Sequence, residues 1–270
     1  MPTTFFDAKH PRVFGHRGAA GSAPENTLPS FEKAVAAGAD IFELDVHATR
    51  DGTVVVLHDP TLERTTDGAG PVRATSWEQL QQLDAGFHFT LDGRTHPFRG
   101  QGIRVPSLAE LFARFPEACF NIEVKQADPS IAKDVVQLIF LYQLGPRVML
   151  AAEHDEIMVQ VREAAAGAIA TSYATGEVAD FIFRLQQGTL AEHRSPGRAL
   201  QIPAAFNGIE LVTAESVRAA HERGLEMHVW TINDREEMER LLDLGVDGII
   251  SDNPALARAV VDDRVRGSRF

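Results

Sequence analysis

Ile41-Phe42-Glu43-Leu44-Asp45-Val46 runs into a turn at Arg50-Asp51-Gly52 and returns through Thr53-Val54-Val55-Val56-Leu57-His58-Asp59. The fold is decided here. Strand side chains alternate faces, so Glu43 and Asp45 share one face while Phe42, Leu44 and Val46 take the other. Two carboxylates on one face of an otherwise apolar strand are unfavourable unless something pairs them. A divalent cation is the simplest partner, because hard cations take carboxylate oxygens. Asp51-Gly52 is a two-residue hairpin signal. A turn centred there sets His58 opposite Asp45, and paired residues of a hairpin share a face. The stretch therefore gathers two acids and an imidazole. A strand carrying its acids at a wet rim is the competing reading, since clustered titratable groups mark sites only as a tendency.

Upstream, Val13-Phe14-Gly15 reads as a short buried strand. It runs into His16-Arg17-Gly18-Ala19-Ala20-Gly21 and then Pro24-Glu25-Asn26-Thr27. A glycine-rich turn after a strand lets backbone approach a ligand closely. Arg17 offers a planar fork suited to phosphate. His16 titrates near neutral pH and suits general acid or base work. A tight surface turn with incidental His and Arg accounts for the same residues. A helix follows, capped by Asn26 or Thr27, with Pro29 in its first turn and Gly38 as its stop. Leu28, Phe31 and Val35 are expected on its buried face. A strand, a helix and a strand in quick succession form a βαβ unit, with parallel strands and a right-handed crossover.

Downstream, residues 59–106 break the rhythm with Asp67-Gly68, Asp92-Gly93, Pro97, Gly100 and Gly102. One short helix is expected at Ser76 to Leu83, carrying Trp77, Leu80 and Leu83. The segment reads as an insertion after the hairpin, folded over one end of the molecule as a lid or binding loop. His88 and His96 within it read as exposed loop residues. Ser107-Leu108-Ala109-Glu110 is a capping box that reopens regular structure. In the strand Cys119 to Lys125, Asn121, Glu123 and Lys125 share a face opposite Phe120, Ile122 and Val124. Glu123 would complete a hard-cation site with Glu43 and Asp45. Lys125 could then bind a phosphate oxygen as a point charge. Simple pairing of Glu123 with Lys125 is the alternative.

Strand and helix then alternate to the end of the chain, with later strands expected at 148–151, 169–172, 200–202, 227–231 and 248–251. Helices are expected near 130–144, 155–166, 176–187 and 214–223, then one capped at Asn233 and one opening at Asn253-Pro254. With Val54 to His58 as an antiparallel return, eight parallel strands remain, which is an α/β fold of the (β/α)8 TIM-barrel type. The chain of 270 residues suits one such domain with its insertion. Active sites of this fold sit at the carboxyl ends of the strands. His16, Glu43, Asp45, Glu123, Lys125 and Trp230 all fall there. Trp230 is either a wall for the substrate or an aromatic plug, and His228 is a deeper hydrogen-bonded core residue. Asp252 and Asn253 sit at a helix N-terminus, where capping is the simpler account.

The formal net charge of -12 argues against a general nucleic-acid binder, but says less about a small phosphate ester. The single cysteine, Cys119, excludes an intramolecular disulfide and a cysteine zinc site. No export signal or membrane span is legible, so a cytoplasmic protein is expected.

His16-Arg17-Gly18, Pro24-Glu25-Asn26-Thr27, Glu43-Leu44-Asp45-Val46, Arg50-Asp51-Gly52, Leu57-His58-Asp59, Asn121-Ile122-Glu123-Val124-Lys125 and Val229-Trp230-Thr231-Ile232-Asn233 together resemble the glycerophosphodiester phosphodiesterases. So does the closing Gly245-Val246-Asp247-Gly248-Ile249-Ile250-Ser251-Asp252-Asn253-Pro254. The resemblance implies one divalent metal ion, Mg2+ or Ca2+, on Glu43, Asp45 and Glu123. It implies His16 and His58 as an acid–base pair, Arg17 and Lys125 on the phosphate, and Trp230 near the glycerol or alcohol group of a small glycerophosphodiester. It suggests attack by the substrate's own neighbouring hydroxyl, giving a cyclic phosphate that water opens. Two departures stand out. Ala151-Ala152-Glu153-His154-Asp155 lacks the family's usual serine and aromatic, and residues 176–196 match little. Rival activities are a phospholipase D-like or lysophospholipase D-like phosphodiesterase on lipids, a barrel isomerase or lyase on sugar phosphates, and a non-catalytic phosphate-ester-binding barrel.

Overall fold

The structure, a computed structural model, describes residues 4–7, 11–194 and 196–267. The strands in chain order are β1 (Arg12–Gly15), β2 (Ile41–Ala48), β3 (Val54–Val56), β4 (Cys119–Val124), β5 (Val148–Ala151), β6 (Ala170–Thr171), β7 (Ala199–Pro203), β8 (Ala205–Phe206), β9 (Ile209–Glu210), β10 (Glu226–Trp230) and β11 (Gly248–Ser251). The α-helices are α1 (Leu28–Ala36), α2 (Trp77–Leu80), α3 (Leu108–Arg114), α4 (Ala132–Leu141), α5 (Asp155–Ala165), α6 (Thr175–Gln187), α7 (Ala214–His221), α8 (Arg235–Asp243) and α9 (Pro254–Gly267). Eight strands pair in the order β6-β5-β4-β2-β1-β11-β10-β7, every neighbouring pair parallel. A parallel bridge from Ser172 to Ala199 draws β6 and β7 together, making a nearly closed (β/α)8 barrel as expected.

Strand alternation sorts the core into two shells. Phe42, Leu44, Val46, Phe120, Ile122 and Leu150 face outward under the helices of one half, and Val13, Leu200, Ile202, Met227, Val229 and Ile249 under those of the other. Inside, Phe5, Phe14, Ile41, Cys119, Met149, Ala199 and Ile250 plug the lower barrel. Fully buried Arg12 is paired with Glu226 at that end and donates to the Phe6 carbonyl at 3.1 Å. His228 is buried with Nε2 3.0 Å from Glu226, the core role read from its position. Acids, cations and imidazoles above the plug are therefore confined to the carboxyl-terminal mouth.

Three local expectations are corrected. The hairpin register pairs Val46 with Val56 and Ala48 with Val54, one residue away from the register that sets His58 opposite Asp45. The loop holds three residues: Gly52 N–H bonds the Thr49 carbonyl at 3.0 Å, and Thr49 N–H bonds that of Thr53 at 3.0 Å. Gly52 takes φ 84, the left-handed position that closes a three-residue hairpin. Next, the buried face of α1 is Phe31 and Ala34, while Val35 is exposed. Finally, α8 is capped by Asp234, whose carboxylate accepts from Glu237 N–H at 3.0 Å, which leaves Asn233 for another task.

The segment after β3 is not a free lid. Its short helix α2 opens with a full capping box at Ser76. Leu62, Val72, Leu80, Ala85 and Val105 form a small core on Val55 and Leu57. The β8–β9 hairpin lies where the sequence pattern gives no strands, although Asn207 and Gly208 at its tip have φ 49 and 79, the conformation that makes Asn-Gly a hairpin signal. Its Phe206 and Ile209 are exposed.

Among the glycines after β1, packing requires Gly18. A Cβ on Gly18 would stand 2.5 Å from Ser30 Oγ and 2.7 Å from the Ser30 carbonyl carbon, at φ 91. Gly18→Ala is accordingly expected to lower stability by about 2 kcal/mol or more, from strain and overlap together. Urea unfolding of the variant beside wild type measures it.

Candidate active site

Strand register assembles the acids. β2 and β4 are neighbours in which Asp45 pairs with Glu123 and Glu43 with Asn121. One carboxylate oxygen from each of Glu43, Asp45 and Glu123 lies within 4.8 Å of the other two. Glu43 and Asp45 are buried and Glu123 is half-buried. Lys125 Nζ lies 2.7 Å from Glu123 Oε1 and 3.5 Å from Asp45 Oδ1. Arg17 Nε is 3.4 Å from Asp45 Oδ2, and Arg17 N–H donates to Glu43 Oε2 at 2.9 Å. Asn26 Nδ2 donates to Asp45 Oδ2 at 3.0 Å. Both Arg17 and Asn26 hold left-handed backbone, φ 50 and 56, a conformation that non-glycine residues keep only where surroundings impose it.

The electrostatics divide the acids. Burial, then the charges of Asp45 and Glu123, push Glu43 up to about 7, with His16 opposing. Burial and Asp45 likewise raise Glu123. Burial acts to raise Asp45 too, but Lys125, Arg17, His58 and the Asn26 hydrogen bond outweigh it and hold Asp45 below the ordinary range. Two raised carboxyls beside a third are a cluster short of positive charge. Buried Asn26 Oδ1 next to them has no hydrogen-bond partner. Hard oxygen donors, deficient charge and an orphaned amide oxygen all fit a divalent cation.

Both imidazoles flanking the acids are tethered through Nδ1. His16 Nδ1 is 2.6 Å from Asp252 Oδ1, and its Nε2 is 3.9 Å from Glu43 Oε2. Asp252 is itself held by Asn233, whose Nδ2 donates to Oδ2 at 2.6 Å and whose Oδ1 accepts from Asp252 N–H at 2.9 Å. Burial opposes charge on His16, but Asp252 and Glu43 outweigh it and raise its pKa above the ordinary value. His58 lies beyond the last residue of β3, so strand alternation no longer aims it. Its Nδ1 is 2.6 Å from Asp59 Oδ1, and its carbonyl oxygen is 3.0 Å from His47 Nε2.

Trp230 stands 43% exposed at the end of β10, which makes it a rim residue and excludes the core plug. Glu153 is exposed, and its charge helps to raise Glu123. The parts not read from sequence are Asp252 and Asp59 as histidine partners, Asn26 beside Asp45, and Glu25 with Arg64. Asp252 could have been found, because a closed barrel sets its first and last strands side by side. A surface cavity of about 440 Å³ lined by Asp155, Gly176, Asp180, Arg184 and His193 shares no residue with this cluster. Among the described residues no helix is long and apolar enough to cross a membrane.

The carboxyl-terminal mouth of this (β/α)8 barrel thus gathers acids, cations and tethered imidazoles suited to an anionic phosphate ester. The chain belongs to the glycerophosphoryl diester phosphodiesterase family, whose sequence profile matches residues 16–256. It is 34% identical over 248 residues to a glycerophosphodiester phosphodiesterase of Caldanaerobacter subterraneus subsp. tengcongensis, covering 90% of this chain and 94% of the relative. The glycerophosphoryl diester phosphodiesterase domain of an uncharacterized Mycobacterium tuberculosis protein shares the fold, with TM-score 0.83, 22% identity, and coverage of 93% of this chain and 99% of that one. An Oleispira antarctica phosphodiesterase in complex with the product sn-glycerol-3-phosphate superposes with TM-score 0.73 at 26% identity, covering 94% and 97%.

Proposed function

We propose that this protein hydrolyses glycerophosphodiesters to glycerol 3-phosphate and an alcohol, with His16 and His58 as the acid–base pair. The observation that carries the reading is two imidazoles, each bound through Nδ1 to a carboxylate, beside one cluster of three acids and two cations. Family membership and the Oleispira antarctica product complex support the substrate class. We read the chain as one barrel domain, with residues 59–106 as its insertion.

Glu43, Asp45 and Glu123 would hold one divalent cation, Mg2+ or Ca2+. Bound there, it would neutralise charge developing on the phosphoryl oxygens. Arg17 and Lys125 would take the remaining phosphate charge, Arg17 as a planar fork and Lys125 as a point charge. A carboxylate on Nδ1 fixes ring orientation and leaves Nε2 for proton transfer. One imidazole removes the proton of the attacking oxygen, and the other protonates the leaving alkoxide. Trp230, exposed at the rim, offers an apolar wall to glycerol or the alcohol.

A panel of glycerophosphodiesters with different alcohols tests this reading. Glycerol 3-phosphate and the matching alcohol should appear in equal amounts from at least one member, and the panel ranks the leaving groups. No release from any member by metal-loaded protein would contradict it.

A further inference from the structure

We infer that Arg64, in the turn-rich segment after β3, is a positioning residue that sets His58 and Arg17 at once. It holds the carboxylate behind each. Nε and Nη2 donate to the two Asp59 oxygens at 2.6 and 3.0 Å. Nη1 and Nη2 donate to the two Glu25 oxygens at 2.7 and 2.8 Å. Asp59 Oδ1 carries His58 Nδ1 at 2.6 Å, and Glu25 Oε1 accepts from Arg17 Nη1 at 2.8 Å. One guanidinium plane therefore links the second imidazole of the site to its phosphate-facing arginine.

The platform under Arg64 is fixed. Leu62 is buried in the small core on Val55 and Leu57, and Thr66 Oγ1 donates back to the Leu62 carbonyl at 2.8 Å. Four donors in a rigid plane fix both the distance and the angle of two carboxylates. A lysine ammonium, a point charge on a flexible stem, cannot grip both carboxylates in bidentate fashion. Removal of Arg64 leaves Glu25 and Asp59 as two acids without their shared cation. Asp59 is then free to turn, and His58 with it. The segment after β3 thus contributes to the site through its first turn, by holding groups rather than by touching substrate.

The inference rests on the proposed acid–base reading, and two readouts separate the fates of the two ideas. In Arg64→Ala, kcat should fall about 10–100-fold, the range seen when partners behind a functional group are removed. KM should change by less than kcat does, since Arg64 itself touches no substrate and acts on phosphate binding only through Arg17. Arg64→Lys should fall between the variant and wild type. In an Asp59→Ala/Glu25→Ala background, adding Arg64→Ala should change kcat by less than about twofold, because residues acting as one unit are not additive. Unchanged kcat in folded Arg64→Ala would overturn the inference. So would a raised KM that persists in the double background, which would make Arg64 a direct substrate contact. The second readout needs no turnover: 15N spectra of the His58 ring, assigned with His58→Gln. A displaced His58 Nδ1 signal in folded Arg64→Ala, with that of His228 unmoved, supports the inference even if wild type cleaves nothing. An unmoved His58 signal overturns it.

Discussion

His16→Ala and His58→Ala are each expected to lower turnover by about a thousandfold while leaving the protein folded, within the range that general acid–base groups contribute. Neither side chain is a core residue: the His16 side chain is 17% exposed and that of His58 32% exposed. Each is instead tethered at 2.6 Å to a carboxylate that other groups hold in turn, Asn233 behind Asp252 and Arg64 behind Asp59. Such an arrangement fixes a ring's direction and tautomer, which matters for proton transfer and little for the barrel. Turnover and thermal midpoint are measured together. Turnover within about tenfold of wild type in either folded variant would contradict the assignment.

If Glu43 holds the proposed cation, Glu43→Gln should remove both metal-dependent turnover and a metal-dependent rise in thermal stability, because it deletes a buried carboxylate charge of the cluster. The same residue gives the metal-free protein a defined pH dependence. Glu43 titrates at about 7 in the folded chain, against an ordinary 4.5, because of its burial beside Asp45. Between those values the folded protein keeps a proton that the unfolded chain releases. Stability therefore falls as pH rises across this window, being greatest below 4.5 and fully reduced above 7. The size is on the order of 3 kcal/mol relative to Glu43→Gln, which cannot titrate there. Denaturant unfolding of both proteins without metal at pH 5 and pH 8 checks the sign. A wild type that gains stability over the variant across that interval would refute the assignment. With a divalent cation present, wild type should gain stability at pH 8 and Glu43→Gln should not.

Most of the barrel is legible because parallel strands keep strict alternation. Phe42, Leu44, Val46, Phe120, Ile122 and Val124 mark the outer face, so Glu43, Asp45, Glu123 and Lys125 must face in. Neighbouring strands then bring these residues together with no further information. What fails is whatever depends on a turn or on closure. Asp51-Gly52 signals a two-residue hairpin, but Gly52 closes a loop of three, which shifts the register by one residue and removes the pairing of His58 with Asp45. Asp252 reads as a cap from its place at a helix N-terminus, yet it bonds His16 Nδ1 across 236 residues, a contact that follows because β1 and β11 must meet in a closed barrel. Arg64, Glu25 and Asn26 lie where no hydrophobic period exists. Only tertiary packing shows that their side chains converge.

Three carboxylates at the mouth of the barrel, Glu43, Asp45 and Glu123, are proposed to hold one divalent cation on which phosphodiester cleavage depends. Release of glycerol 3-phosphate by the wild-type protein, first stripped by chelator and then resupplied with Mg2+ or Ca2+, tests it most directly. Release should be lost on stripping and return with at least one of the two ions. Undiminished release by fully stripped protein would contradict it.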